Sequence, residues 1–234
     1  FSQNQIQFTT PIAGDAAAVN GRGYRYATHT GVFNVNELIN WTPTFGLSDL
    51  NVMLGHETNE YDYSLFYGHM TNFVSPTNPE FSNAINYQDM SSYSYGKQRE
   101  GYFGKVDYDF DDRYYLTASL RRDASSMFHP DARWGTFWAV GGSWRISKES
   151  FMRGASTWLQ DAKVKASYGT QGNDNLGYTT VYQDLYSIAR VDGEASLTKY
   201  FRAAPDVTWE KSENFNVGFE TRFFNRISIN ADYF

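Results

Sequence analysis

A chain of 234 residues with a net charge of −6 and no cysteine excludes disulfide scaffolds, zinc–thiolate sites, thiol catalysis and a basic nucleic-acid-binding surface. It carries 18 Tyr, 18 Phe and 6 Trp yet has negative mean hydropathy, a balance that suits interfacial girdles better than a dry core. No apolar run approaches the roughly 18 residues a membrane helix needs, which removes helical membrane proteins and leaves strands.

Alternation of apolar and polar side chains predicts eight strands, near residues 30–45, 50–70, 97–110, 113–123, 133–146, 161–170, 213–224 and 226–234. The pattern is sharpest over 102–146. There Tyr102, Val106, Tyr108 and Phe110 oppose Lys105, Asp107 and Asp109. Next, Tyr114, Leu116, Ala118 and Leu120 oppose Arg113, Thr117, Ser119 and Arg121. Then Trp134, Trp138, Val140, Trp144 and Ile146 oppose Gly135, Ala139, Gly141, Ser143 and Arg145. Successive side chains point to opposite faces of a strand, so one face is apolar and the other wet. A soluble sandwich and a membrane barrel both satisfy that rule. The lengths favour the barrel: a tilted strand crosses a bilayer in about 9–11 residues, and soluble strands usually stop near 5–6.

Between these strands, tight turns at Gly46-Leu47-Ser48-Asp49, Asp111-Asp112 and Asn225 alternate with long links at 71–96, 122–132 and 171–212. Outer-membrane barrels pair short periplasmic turns with long extracellular loops. Link 147–160 falls on the short side yet is long, and SKESFMRGASTWL reads as a short amphipathic helix. With the tight turns periplasmic, the strand at 30–45 runs inward and the last strand outward, so both ends of the chain are expected outside. That arrangement suits an internal slice of a larger barrel. No basic-plus-apolar signal segment opens the sequence, so such a segment is expected to have been removed or to precede a chain that starts partway through a longer protein.

Three segments resemble the C-terminal barrel half of SusC/RagA-type TonB-dependent transporters: DDRYYLTASLRRDASSMFHPDARWGTFWAVGGSWRISKESFM (111–152), AKVKASYGTQGNDNLGY (162–178) and WEKSENFNVGFETRFFNRISINADYF (209–234). LNVMLGHE (50–57) resembles an upstream strand of the same barrel. Ala124 stands where the family motif has Gly, which touches a loop turn more than the fold. The resemblance implies an all-β, antiparallel transmembrane β-barrel, with this chain as about eight strands of a plugged barrel of roughly 22. Residues 1–234 are then part of one β-barrel domain, and the plug domain and TonB box are expected outside this chain. The implied activity is import of oligosaccharides or peptides across the outer membrane of a Bacteroidetes-type bacterium. The implied partners are a SusD-like surface lipoprotein, TonB acting through the N-terminal part, the lipid and lipopolysaccharide of the membrane, and a glycan or peptide substrate. Two other readings fit the alternation: a self-contained small outer-membrane barrel acting as adhesin or surface enzyme, and a soluble carbohydrate-binding β-sandwich. The terminal Phe234 after an alternating strand also resembles a barrel assembly signal, a reading the outside placement of that end opposes.

Candidate sites are few. Arg121-Arg122-Asp123 could bind anionic or sugar ligands through guanidinium forks, but an ion pair at a loop base is the favoured reading. Trp134, Trp138 and Trp144 could stack sugars, yet their parity with Val140 and Ile146 makes them lipid-facing anchors. Asn173-Asp174-Asn175 and Asp109-Asp111-Asp112 lack calcium-loop spacing and suit turns. His29, His56, His69 and His129 are dispersed, and no nucleophile elbow, metal pair or phosphate loop occurs. No catalytic residue, metal site or cofactor is expected. The substrate-binding residues are unknown from sequence, with any contacts expected in links 71–96 and 178–209.

Overall fold

A computed structural model describes residues 1–10, 14–177, 180–191 and 193–234. The chain is almost entirely strand: β1 (Ser2–Thr9), β2 (Arg22–Trp41), β3 (Thr44–Phe45), β4 (Ser48–Phe73), β5 (Ala84–Phe110), β6 (Tyr114–Ser125), β7 (Trp134–Arg145), β8 (Leu159–Asn173), β9 (Leu185–Val191), β10 (Glu194–Phe201), β11 (Glu210–Phe223) and β12 (Ile227–Tyr233). The main sheet runs in the order β1-β2-β4-β5-β6-β7-β8-β11-β12, with β3 against β4, while β9 and β10 pair separately. The chain divides into two compact units, Phe1–Phe33 with Asn59–Gln98, and Asn34–Thr58 with Arg99–Phe234.

In the first unit β1 lies antiparallel to β2, with Ser2 opposite His29 and Thr9 opposite Arg22. Phe73 is almost fully buried and meets the Phe8 ring edge-on at 4.9 Å. Tyr24 stacks on His69 at 4.3 Å, Tyr26 meets Tyr67 at 5.0 Å, and Tyr63 meets Tyr95 at 5.2 Å. The Arg25 guanidinium lies over Phe81 at 5.3 Å and pairs with Glu80.

In the second unit, the register turns the sequence alternation into rows. Val106, Ala118, Val140, Tyr168 and Phe215 are successive cross-strand partners, and so are Phe110, Tyr114, Trp144, Val164 and Phe219. A one-residue slip would throw every apolar side chain to the other face, so this two-sidedness excludes odd slips of the register. These apolar residues are exposed: Trp134, Trp138 and Trp144 keep 40%, 41% and 37% of their surface. A sandwich would cover this face with a second sheet; here it stands open. The opposite face is polar and ion-paired. Lys165 Nζ reaches Glu220 Oε1 and Asp232 Oδ1, both at 2.9 Å. Asp107 takes Thr117 Oγ1 at 2.5 Å and Lys105 Nζ at 3.0 Å.

Four expectations change. The strand read from residue 30, β2, itself starts at Arg22, and a strand, β1, precedes it and lies antiparallel to it. Its polar sequence SQNQIQFT offers little alternation to read. Link 71–96 contracts because β5 begins at Ala84; SSYSYGKQ has hydroxyls on both faces and looks like loop. Link 171–212 contains the β9–β10 hairpin, Glu194 opposite Val191; within that link residues 178, 179 and 192 lie outside the described residues. Segment 147–160 holds 3₁₀ turns, Ile146–Lys148 and Ser150–Ala155, not an α-helix. A short segment tethered at both ends cannot repay helix nucleation, so i→i+3 bonds such as Met152 N to Glu149 O (3.0 Å) serve instead.

Candidate functional site on the polar face

A dense polar constellation of the second unit lies where β5, β6 and β8 approach their long links. Arg121, on the polar parity of β6, donates from Nε to Asp123 Oδ1 (2.7 Å) and from Nη2 to Glu57 Oε1 of β4 (2.8 Å). Its guanidinium lies over the Phe103 ring at 5.2 Å. Beside it Arg99 of β5 holds Asp174, with Nε donating to Oδ2 at 2.7 Å and Nη2 donating to Oδ1. Ser125 Oγ donates to Asp174 Oδ2 at 2.8 Å. Asp174 is 3% exposed, and a guanidinium fork and a hydroxyl take the place of water on its carboxyl oxygens. Glu57, Arg99, Arg121, Asp123, Asp174 and Trp209 line a cleft of about 280 Å³.

A small apolar core anchors the cleft. Phe128 is fully buried and its ring lies 5.6 Å from Trp209, which meets Phe137 at 5.4 Å. Trp209 Nε1 donates to Arg133 O (2.8 Å), and Thr208 Oγ1 donates to Ala132 O (2.7 Å), tying the last long link to the β6–β7 loop. Gly172 is required by contact: a Cβ there would sit 2.1 Å from the Phe137 ring.

The predicted sites sort cleanly. Arg121 and Asp123 form the expected ion pair, now shared with Glu57. Arg122 is on the other parity, its guanidinium 5.2 Å over Trp134. Trp138 leans on Tyr168 at 5.6 Å, and Tyr114 and Trp144 stack at 6.5 Å on the apolar face. Asp111 and Asp112 take positive φ (53° and 55°) in the β5–β6 turn, and Asp112 N donates to Asp109 Oδ1 at 2.8 Å. Asn175 N donates to Asn173 Oδ1 at 3.0 Å, again turn chemistry. The histidines stay apart: His29 meets Ser2, His56 meets Glu37 and stacks on Tyr102, His69 lies on Tyr24, and His129 contacts Tyr182. Among the described residues no group of three or more His, Asp or Glu is arranged to hold a metal. Sequence reasoning missed Arg99 with Asp174, and Phe103 and Phe137, aromatics on the polar parity. Their one visible signal is a glycine, Gly55 or Gly172, whose absent Cβ makes room for each ring once the register is known.

The cleft offers guanidinium forks, carboxylates and an indole on a polar wall, which is equipment for binding and positioning. A two-faced antiparallel sheet of this kind fits the outer-membrane barrel class, and the whole chain, residues 1–234, matches the family described as TonB dependent receptor-like, beta-barrel. The chain belongs to that family, and within it to the SusC/RagA type. It is 26% identical over 197 residues to TonB-dependent receptor SusC of Bacteroides thetaiotaomicron, covering 81% of this chain and 19% of that protein. It is 29% identical over 238 residues to TonB-dependent receptor P3 of Formosa agariphila, covering 97% and 23%. The solved RagAB peptide transporter superposes with a TM-score of 0.78 at 27% identity, covering 91% of this chain and 24% of that one. The chain therefore spans about a fifth to a quarter of the length of these relatives.

Proposed function

We propose that this chain forms part of the barrel wall of an outer-membrane, TonB-dependent importer of oligosaccharides or peptides, working with a SusD-like surface lipoprotein. The observation that carries the reading is the opposition of faces in the second unit. Rows of exposed Trp, Tyr, Val and Leu meet lipid, and the ion-paired face with the Arg121 and Arg99 clamps lines the transport lumen. Residues 1–234 then belong to one barrel domain, with plug and TonB-binding segment supplied elsewhere in the full-length protein. The likeness to the solved RagAB peptide transporter supports the peptide class, and the oligosaccharide class is what the resemblance of the sequence motifs implies. In this role the chain is wall and not enzyme.

The test is uptake by cells carrying or lacking the full-length gene, on defined glycans or peptides as sole nutrient. Growth that depends on the gene and collapses when TonB is removed is expected. Uptake indifferent to TonB overturns the proposal.

A further inference from the structure

We propose that a groove on the apolar face of the second unit holds one acyl chain of a membrane phospholipid. The inference rests on the lipid-facing assignment above. Along one row of the sheet Tyr108, Leu116, Gly142, Ala166 and Val217 are successive cross-strand partners. Both neighbouring rows are bulky: Tyr114, Trp144 and Val164 on one side, Val140, Tyr168 and Phe215 on the other. Two adjacent small residues in the middle row therefore leave an open groove of about 540 Å³, floored by Gly142 and Ala166 and walled by Leu116, Trp144, Val164 and Val217.

The chemistry of the groove selects hydrocarbon. The polar atoms at its rim are already engaged: Tyr114 Oη donates to Glu149 Oε1 at 2.6 Å, and Trp144 Nε1 donates to the same oxygen at 3.0 Å. Lys165, at its border, sends its ammonium to Glu220 and Asp232 on the polar face. A lone extended peptide laid here would bury backbone N–H and C=O groups without partners, whereas a hydrocarbon chain has none to satisfy. The Tyr114–Trp144–Glu149 cluster also gives the occupant a direction. Such a ring-and-carboxylate rim marks the water interface, and Gly142 lies two residues further along β7, roughly 7 Å into the apolar band. The ester end of the lipid sits by the rim and its chain runs over Gly142.

The test uses the full-length transporter in phosphatidylethanolamine bilayers, with benzoylphenylalanine placed at Leu116 or, as a control elsewhere on the same face, at Leu120. Irradiation at position 116 is expected to give an adduct of phosphatidylethanolamine mass. That adduct falls several-fold when Gly142→Leu and Ala166→Leu fill the groove, and falls partly with Gly142→Ala; labelling at 120 is unchanged. The filled variants have room to fold, since the nearest atom to a Cβ at 142 is the Tyr115 carbonyl oxygen at 3.6 Å. Equal labelling of filled and native protein at 116 overturns the groove while leaving the lipid-facing wall intact. A protein adduct at 116 replaces the lipid with a partner and also overturns it. Absence of lipid adducts at both positions overturns the membrane assignment itself.

Discussion

Asp112 shows how one turn residue knits two connections together. It accepts from Lys148 Nζ and Tyr115 Oη, and from Arg145 Nη1 at 2.7 Å, so the β5–β6 turn is tied to the link that follows β7. The Lys148 hydrogen bond first, then that of Tyr115 and the charge of Arg145, hold its carboxyl down at about 2. Glu149, in the same link, is lowered by the Tyr114 hydroxyl and then the Trp144 indole N–H. A carboxyl depressed in the folded state adds stability that is present above its unfolded value of about 4 and is lost as pH falls through the folded value. Asp112 is about half exposed, so solvent screening keeps its contribution within about 1 kcal/mol. The difference in urea midpoint between native full-length protein and Asp112→Asn, in detergent, is expected to be steady from pH 7 to 5 and to have lost most of its size by pH 2. A difference unchanged at pH 2 would show that the ion pairs contribute nothing.

At the scale of strands, cross-strand contact between β7 and its neighbours decides local packing. Phe137 sits on the polar parity, where sequence alternation predicts a small or hydrophilic residue, and it is buried because Gly135 and Gly172 leave space and Trp209 covers it. Gly172→Ala forces its methyl into the Phe137 ring and is expected to cost about 1–3 kcal/mol. Phe137→Leu relieves the clash, so the double variant should be less destabilised than the sum of the two singles, a coupling readable from a double-mutant cycle in unfolding. Strict additivity would mean that ring and glycine do not meet. The pairing that creates this contact cannot be read from either strand alone, because Gly172 has no side chain to announce it. The 3₁₀ turns after β7 escaped for a related reason. Phe151 and Trp158, seven residues apart with Met152 beside the first, suggest one apolar face of an amphipathic helix, but the span is fixed by the strand ends it must join.

For the molecule as a whole, the decisive property is which face meets hydrocarbon. Val140 and Ser167 belong to neighbouring strands and opposite faces. Val140→Arg is expected to cost about 2–4 kcal/mol on transfer to a bilayer if it lies near the midplane, while Ser167→Arg costs close to nothing. Refolding of full-length protein into lipid vesicles, followed by urea titration, separates the two; equal penalties would remove the two-faced wall. This two-facedness was legible from residues 102–146 alone, and the motifs at 111–152 and 209–234 pointed to the TonB-dependent receptor barrel that the family match over residues 1–234 bears out, with the SusC/RagA type supported by the likeness to SusC and RagAB.

Alternation is a local property: a strand sends successive side chains to opposite faces whatever its partners are, so the sequence by itself determined the main-sheet strands over 97–170 and 213–234, their apolar faces and the tight turns at 111–112 and 225, but not the β9–β10 hairpin between them. The tertiary structure alone decided the register, and with it the constellations that register creates. Arg99 meets Asp174 across 75 residues, Arg121 meets Glu57 across 64, and Gly142 falls beside Ala166 to open the groove. Those meetings depend on how far each strand slides against the next, a quantity summed over every link between them, and no local pattern of side chains encodes it.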